Sequence, residues 1–309
     1  MDSTVRVQPK LLIIGDIIID KYLSGNVSRI SPEAPIPILN LQSEFTRFGG
    51  AANVAINVSR LIGECNLILD NKSPDIDIKA LEDEKINLLW NTEDKEYSVK
   101  TRVICGQHQF IRIDKDIIKK RVLKDYTKVL NPLSKNDIIL ISDYDKGAAN
   151  CSKEIIKYAN TKEIITIVDP KKSNWDNYME STTLKCNTKE YTEHRLFDGL
   201  DIAINEKNLR ESLLKYKLKN LIVTMGSEGM KIINSEGVYK SYKSDFIHVY
   251  DVSGAGDAVA AGVSFLHYHG YSIAMNGLFL CKLGELCVQE IGTSPIPKGM
   301  NLDDYEFMY

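Results

Sequence analysis

At 309 residues, with 43% hydrophobic and 26% charged residues, the chain has the length of one large α/β domain and enough apolar content to build its core. A formal net charge of −3, with acids and lysines interleaved, excludes a nucleic-acid partner held by bulk electrostatics. No apolar run approaches the roughly 18 residues of a membrane span, and the N-terminus lacks a secretory apolar stretch, so a cytoplasmic protein with no membrane partner is expected.

"KLLIIGD" (Lys10–Asp16) is a short apolar run closed by Gly-Asp and reads as a buried parallel strand. The stretch 17–48 contains three prolines and alternating patches but no helical period. "GGAANVAINVSRLIG" (Gly49–Gly63) then opens on two glycines and continues as a helix of small and apolar residues. A loop so built lets backbone approach a ligand closely. Residues 97–114, containing "YSVKTRVICGQHQFIRID", alternate like a half-buried hairpin. Both irregular stretches are expected to form a small β-sheet lid, joined to the body near Phe48, Gly49 and Trp90.

Three further apolar β-type runs follow, in "DIILISDYDKG" (Asp137–Gly147), "EIITIVDPKK" (Glu163–Lys172) and "NLIVTMGSEG" (Asn220–Gly229), with helical patterns such as "CSKEIIKYANT" (Cys151–Thr161) between them. Strand and helix in alternation predict a mostly parallel central sheet with helices on both faces and ligands at the carboxyl ends of the strands. The six cysteines, at 65, 105, 151, 186, 281 and 287, form no CxxC and are expected to be reduced.

The stretch richest in chemistry is "DVSGAGDAVAAGVSFL" (Asp251–Leu266). Gly254, Ala255 and Gly256 precede a helix expected to run to about Tyr268. The first N–H groups of a helix lack intrahelical partners and sit at its positive end, and small residues let a phosphate reach them. Asp257 would lie beside that anion, where a carboxylate needs a task. Taking a proton from an attacking hydroxyl fits. The same residues would also serve a plain helix start, with Ser253 as N-cap and Asp257 favouring the dipole. No GxxxxGK[ST] motif occurs, and GAGDAV lacks the third glycine of a dinucleotide fingerprint.

"DVSGAGDAVAAG" resembles the second signature of the ribokinase-like (PfkB) sugar kinases, and "FGGAANVAINVSRLIG" resembles the first. The likeness extends over nearly the whole chain, as a single ribokinase-like domain over residues 1–309. "SRISPEAPIPIL", "QFIRID", "SDYDKG" and "VDPKK" further resemble the D-glycero-β-D-manno-heptose 7-phosphate kinases of ADP-heptose and lipopolysaccharide synthesis. The resemblance implies Asp257 as general base and Gly254, Ala255 and Gly256 as an anion hole. It implies ATP and Mg²⁺ as cofactors, with Asn187 and Glu190 organising the metal-bound triphosphate, Glu190 through water. Thr224, Gly226, Ser227 and Gly229 would lie along the nucleotide.

Asp16, Asp20, Gly49, Gly50 and Asn53 would hold the sugar, and Arg112, Lys146 and Lys171 its phosphate, with Arg29, Lys100 and Arg102 as further lid candidates. Any of these cations could instead be a solvated surface charge. Asp251 and Ser253, with Gly292 or Ser294, resemble a site for a monovalent cation such as K⁺. The expected reaction gives heptose 1,7-bisphosphate. The alternatives are a related kinase for another sugar or sugar phosphate, and a non-catalytic sugar- or nucleotide-binding sensor. A homodimer through the lid strands is expected, because a projecting sheet leaves open edges.

Two departures stand out. The segment 67–87 is shorter than usual for the family and lacks its Gly-x-x-Gly-x-Asp element. No HxGH nucleotidyltransferase motif is present, since "HYHG" (His267–Gly270) has the wrong order, so a fused adenylyltransferase is not expected.

Overall fold

Leu11–Gly15 (β1) is buried throughout and lies between two parallel partners, which is why it reads as a continuous apolar run. The computed structural model describes residues 8–69, 76–90, 96–106, 108–244, 253–289 and 292–309. After β1 come the strands β2 (Ile17–Ile30), β3 (Pro37–Gly50), β4 (Cys65–Leu69), β5 (Ile86–Trp90), β6 (Ser98–Cys105) and β7 (His108–Lys115). They are followed by β8 (Ile138–Ser142), β9 (Ile165–Asp169), β10 (Thr183–Asn187), β11 (Asn220–Thr224), β12 (Met230–Asn234) and β13 (Tyr239–Tyr242). The helices are α1 (Ala51–Ile62), α2 (Ile78–Asp83), α3 (Leu123–Leu130), α4 (Ser152–Thr161), α5 (Thr188–Phe197), α6 (Glu206–Lys215), α7 (Ala255–His269) and α8 (Gly277–Cys287).

Among the described residues, nine strands form the central sheet in the order β13-β12-β11-β10-β9-β8-β1-β4-β5, parallel except for β12, which opposes both neighbours. Successive side chains of a strand point to opposite faces. Leu11, Ile13, Ile138, Leu140 and Ile222 therefore fill one layer with α1, α7 and α8. Leu12, Ile14, Ile139, Ile141, Leu221 and Val223 fill the other with α3 to α6. Burial of each such side chain stabilises the fold by roughly 1.5–3 kcal/mol.

From β1 the sheet is built outward through β4 and β5, then the chain returns to the other side of β1 and continues as β8 to β11. The strand order thus reverses between β1 and β8, and a crevice at their carboxyl ends is the expected ligand position. Asp16 follows β1 there, and Tyr144 follows β8.

The second sheet, ordered β3-β2-β6-β7, is the expected lid. β2 continues from β1 after Asp16, and β3 returns straight into α1 at Gly50. Gly50 has φ +58°, and a Cβ there would run into the Asp16 carbonyl oxygen. Its neighbour Ala51 donates its N–H to that same oxygen at 2.9 Å. All six cysteines are free, and all but Cys105 are buried. Among the described residues no helix is long and apolar enough to cross a membrane.

Candidate active site

Helix α7 begins without a side-chain cap. The N-cap is Gly254, in the left-handed region at φ +90°, and not Ser253 as the plain helix-start reading has it. A Cβ at Gly254 would lie 3.1 Å from Asn53 Nδ2 and 3.3 Å from the Ser294 carbonyl oxygen, so the turn is closed to larger residues. The first-turn amides stay directed at an incoming anion.

Asp257, in that first turn, is only 3% exposed. Asn53 Nδ2 donates to its Oδ2 at 2.6 Å, and the Tyr144 hydroxyl donates to its Oδ1 at 2.8 Å. Burial pushes this carboxyl above the usual range, and the two donors and the Lys185 ammonium pull it back. Asn53 Oδ1, wholly buried beside Asp257, has no hydrogen-bond partner among the described residues. An acceptor left so is costly unless a ligand donor meets it.

Asp16 is tied to the crevice loop. Its Oδ2 accepts from the N–H of Tyr144 (2.9 Å) and Lys146 (3.0 Å), and its Oδ1 from that of Ala148 (2.9 Å). Burial raises this carboxyl too. Both oxygens are thus engaged in bracing the loop after β8, which the expected role of holding sugar hydroxyls did not include.

Strand register gathers the lid's charges on one face. Cross-strand partners place Arg47, Asp20, Lys100 and Asp114 in one row and Phe45, Tyr22, Arg102 and Arg112 in the next. Asp20 pairs with Arg102 through Oδ1 and accepts from Thr293 Oγ1 at 2.7 Å through Oδ2. Gly49 is required beside it, because a Cβ would strike the Asp20 carboxylate. Lys100 Nζ stands 5.4 Å over the Tyr144 ring, and burial lowers its affinity for the proton.

Behind the Gly254–Gly256 turn opens a cavity of about 570 Å³, lined in part by Asn187, Thr224, Gly226, Ser227 and Gly229. The expected nucleotide residues are therefore brought together. Asn187 and Glu190 form a reciprocal capping box at the start of α5, each side chain accepting the other's backbone N–H, at 2.9 and 3.0 Å. Glu190 Oε1 faces Lys171 Nζ at 3.6 Å.

Sequence reasoning does not single out Lys185 or Tyr144. Lys185 is a lysine inside the buried strand β10, and its Nζ binds Asp169 Oδ2 at 2.8 Å. A Cβ on Gly256 would lie 2.9 Å from that Nζ, so the cation borders the Gly254–Gly256 turn. Burial works against its charge, but the Asp169 and Glu190 carboxylates outweigh burial and keep it protonated. The signal available was a lysine two positions before Asn187, at the centre of a short strand.

Three cations expected at a sugar phosphate have carboxylate partners in the structure. Lys146 Nζ is held by Asp116 at 2.7 Å, and Lys171 lies beside Glu190. Unlike the half-buried hairpin expected, β7 is exposed along its length, and Arg112 forks onto Asp114 with two 2.9 Å bonds. It keeps a place on the lid's charged face. Arg29 is exposed far out on β2. Of the monovalent-cation residues, Asp251 lies outside the described residues, Ser253 directly precedes Gly254, and the Ser294 carbonyl oxygen lies close to Gly254.

The sequence profile described as pfkB family carbohydrate kinase matches residues 8–298. The chain is 30% identical over 300 residues to the bifunctional protein HldE of Hydrogenovibrio crunogenus, across 94% of this chain and 61% of that protein. It is 31% identical over 296 residues to the D-beta-D-heptose 7-phosphate kinase of Bordetella bronchiseptica, across 93% of each. The chain spans about three fifths of the length of the bifunctional relative. In fold it is similar to Escherichia coli phosphofructokinase-2 solved with potassium (TM-score 0.76, 17% identity, 94% of this chain and 96% of that one). It is also similar to ribokinase from Thermotoga maritima (TM-score 0.72, 20% identity, 94% and 97%). With the profile matching from β1 past α8 and both glycine turns at the crevice, the chain belongs to the pfkB family of carbohydrate kinases, phosphotransferases that act on sugar hydroxyls.

Proposed function

We propose that the chain is an ATP-dependent kinase that phosphorylates the anomeric hydroxyl of D-glycero-D-manno-heptose 7-phosphate to give the 1,7-bisphosphate. The observation that carries this reading is the position of Asp257. It is buried and held by two donors, at the seam between the nucleotide-sized cavity and the charged face of the lid. Asp257 takes the hydroxyl proton as the sugar oxygen bonds to the terminal phosphorus and the bond to the leaving ADP oxygen breaks. The Gly254–Gly256 amides and Lys185 receive the charge on the travelling phosphoryl group. The lid excludes water that would compete as acceptor.

The residues present suit magnesium. Glu190 offers a carboxylate oxygen one helical turn from Asn187, which lines the cavity, and among the described residues no group of three or more His, Cys, Asp or Glu forms a cage. That is the donor set of an ion held partly by substrate phosphates and water, and such an ion neutralises charge on the phosphate oxygens when bound. A monovalent cation would sit beside the Gly254 turn near Ser253 and Ser294. A neighbour of the same fold was solved in complex with potassium.

The substrate choice is supported by the heptose 7-phosphate kinase relative and by Lys100, Arg102 and Arg112 on one lid face, since such groups clamp phosphate oxygens. A panel of free hexoses, ribose, fructose 6-phosphate and heptose 7-phosphate in an ADP-release assay tests it. Release is expected with the heptose phosphate, with a new anomeric phosphate by ³¹P NMR. Turnover of a free hexose alone would move the chain to another sugar. ATP binding without ADP release from any sugar would favour a sensor.

The protein is also proposed to form a homodimer through its lids. Ile111 and Ile113, each 55% exposed, share one face of the edge strand β7, and Leu41 and Phe45 on β3 are exposed too. Exposed apolar groups on open edges call for a covering partner. Light scattering after size exclusion should give twice the chain mass, and Ile111→Asp with Ile113→Asp should give the single-chain mass. A wild-type protein running as one chain at micromolar concentration removes the dimer.

A further inference from the structure

Tyr144 stands between the lid and the base, and three different groups hold it. Its N–H donates to Asp16 Oδ2 at 2.9 Å, its ring lies under Lys100 Nζ at 5.4 Å, and its hydroxyl donates to Asp257 Oδ1 at 2.8 Å. These contacts come from the end of β1, from the lid strand β6 and from the first turn of α7. The side chain is therefore fixed at both ends, and it bridges 113 positions of sequence to reach the base.

The consequence for Asp257 is geometric. A carboxylate held by one donor can still turn about its terminal torsion, which is broad and nearly two-fold. Asn53 grips one oxygen from α1, and Tyr144 grips the other from the opposite wall of the crevice. Together they fix the plane of the carboxylate, and each oxygen keeps a lone pair for a substrate proton. We propose that Tyr144 is a positioning residue for phosphoryl transfer, whose hydroxyl, seated by the Asp16 brace and by Lys100 of the lid, sets the orientation and basicity of Asp257. The inference rests on the reading of Asp257 as the base.

Chemistry supports the direction of its effect. Burial first, and the nearby carboxylates of Asp257 and Asp169 second, hold the Tyr144 phenol well above its ordinary value, so it remains a donor at any working pH. A donor to a carboxylate favours the ionised form, so losing it must raise the Asp257 carboxyl. The other groups facing Asp257 are Lys185 on β10, Asp20 on β2, Asp169 on β9 and Asn53 on α1, and all stay in place when only the hydroxyl is removed.

The test is Tyr144→Phe in the full chain, which keeps the ring under Lys100 and deletes one oxygen. The expected result is kcat lower by roughly 10- to 100-fold with KM little changed, and an acid limb of kcat/KM moved up by about one pH unit. A ring-fluorinated tyrosine placed at 144, a stronger donor of the same shape, should move that limb downward. A merely structural tyrosine would shift the melting temperature and leave the limb where it was. Wild-type kcat and an unmoved limb in Tyr144→Phe, with Asp257→Asn inactive, overturn the inference and leave the base assignment standing. Turnover retained in Asp257→Asn overturns the base assignment and this inference with it.

Discussion

Asp257→Asn should lose phosphoryl transfer by about 10²- to 10⁴-fold and keep its fold, its nucleotide affinity and its melting temperature. Asparagine is close to isosteric with aspartate, and the site can accommodate it without an unpaired atom. Its Oδ1 would accept from Asn53 Nδ2, and its Nδ2 would donate to the Tyr144 oxygen, whose hydroxyl can rotate away. The buried charge that burial already disfavours is gone, so stability should be unchanged or slightly higher. What is lost is the proton acceptor. Single-turnover ADP formation measures the loss, calorimetric nucleotide binding checks the pocket, and thermal melting checks the fold. Near-normal turnover in this variant would remove the assignment of Asp257 as the base. A collapse of the melting temperature would instead mean that the carboxylate is a structural brace like Asp16, with both its oxygens engaged by neighbouring donors.

The strands β1, β8, β9 and β11 were legible because a strand buried on both faces must be apolar at every position, and glycine or acid ends it where the ligand crevice begins. The Gly254–Asp257 turn was legible for the opposite reason, since two glycines and an acid at a helix mouth make little sense as packing. β10 was not: "TLKCN" carries a lysine and an asparagine, and only the Asp169 carboxylate from the next strand makes Lys185 tolerable in the interior. Lys146 and Lys171 were read toward a sugar phosphate because a cation is ambiguous in sequence. Its partner is whichever carboxylate lies within reach, here Asp116 and Glu190. Tyr144 escaped for the same kind of reason, its task being set by a residue 113 positions away. The lid strands were recognised by alternation, but alternation does not reveal that β7 has solvent on both faces when the sheet projects from the body.

Lys185→Met should reduce kcat by roughly 10²- to 10³-fold, the scale seen when one preorganised group facing a developing anion is removed. Two effects are superimposed in that variant, and they can be separated. Lys185 borders the Gly256 turn, where a Cβ would lie 2.9 Å from its Nζ, so it is placed to offset charge on the travelling phosphoryl group. It is also the partner of the buried Asp169, at 2.8 Å. Breaking a buried ion pair by removing one member costs about 3–5 kcal/mol when the other stays charged. Asp169 can escape part of that cost by taking up a proton, because burial already raises its carboxyl with the ammonium beside it and losing the ammonium raises it further. The single variant should therefore be destabilised more at pH 8 than at pH 6, since the proton that relieves Asp169 is scarcer at the higher pH. Adding Asp169→Asn removes the orphaned charge and should restore the melting temperature at both pH values. It should not restore turnover, because the cation beside the phosphate path is still missing. A double variant that regains near-wild-type kcat would show that Lys185 acts only by neutralising Asp169, and the phosphoryl charge would then rest on the helix amides and the proposed magnesium alone.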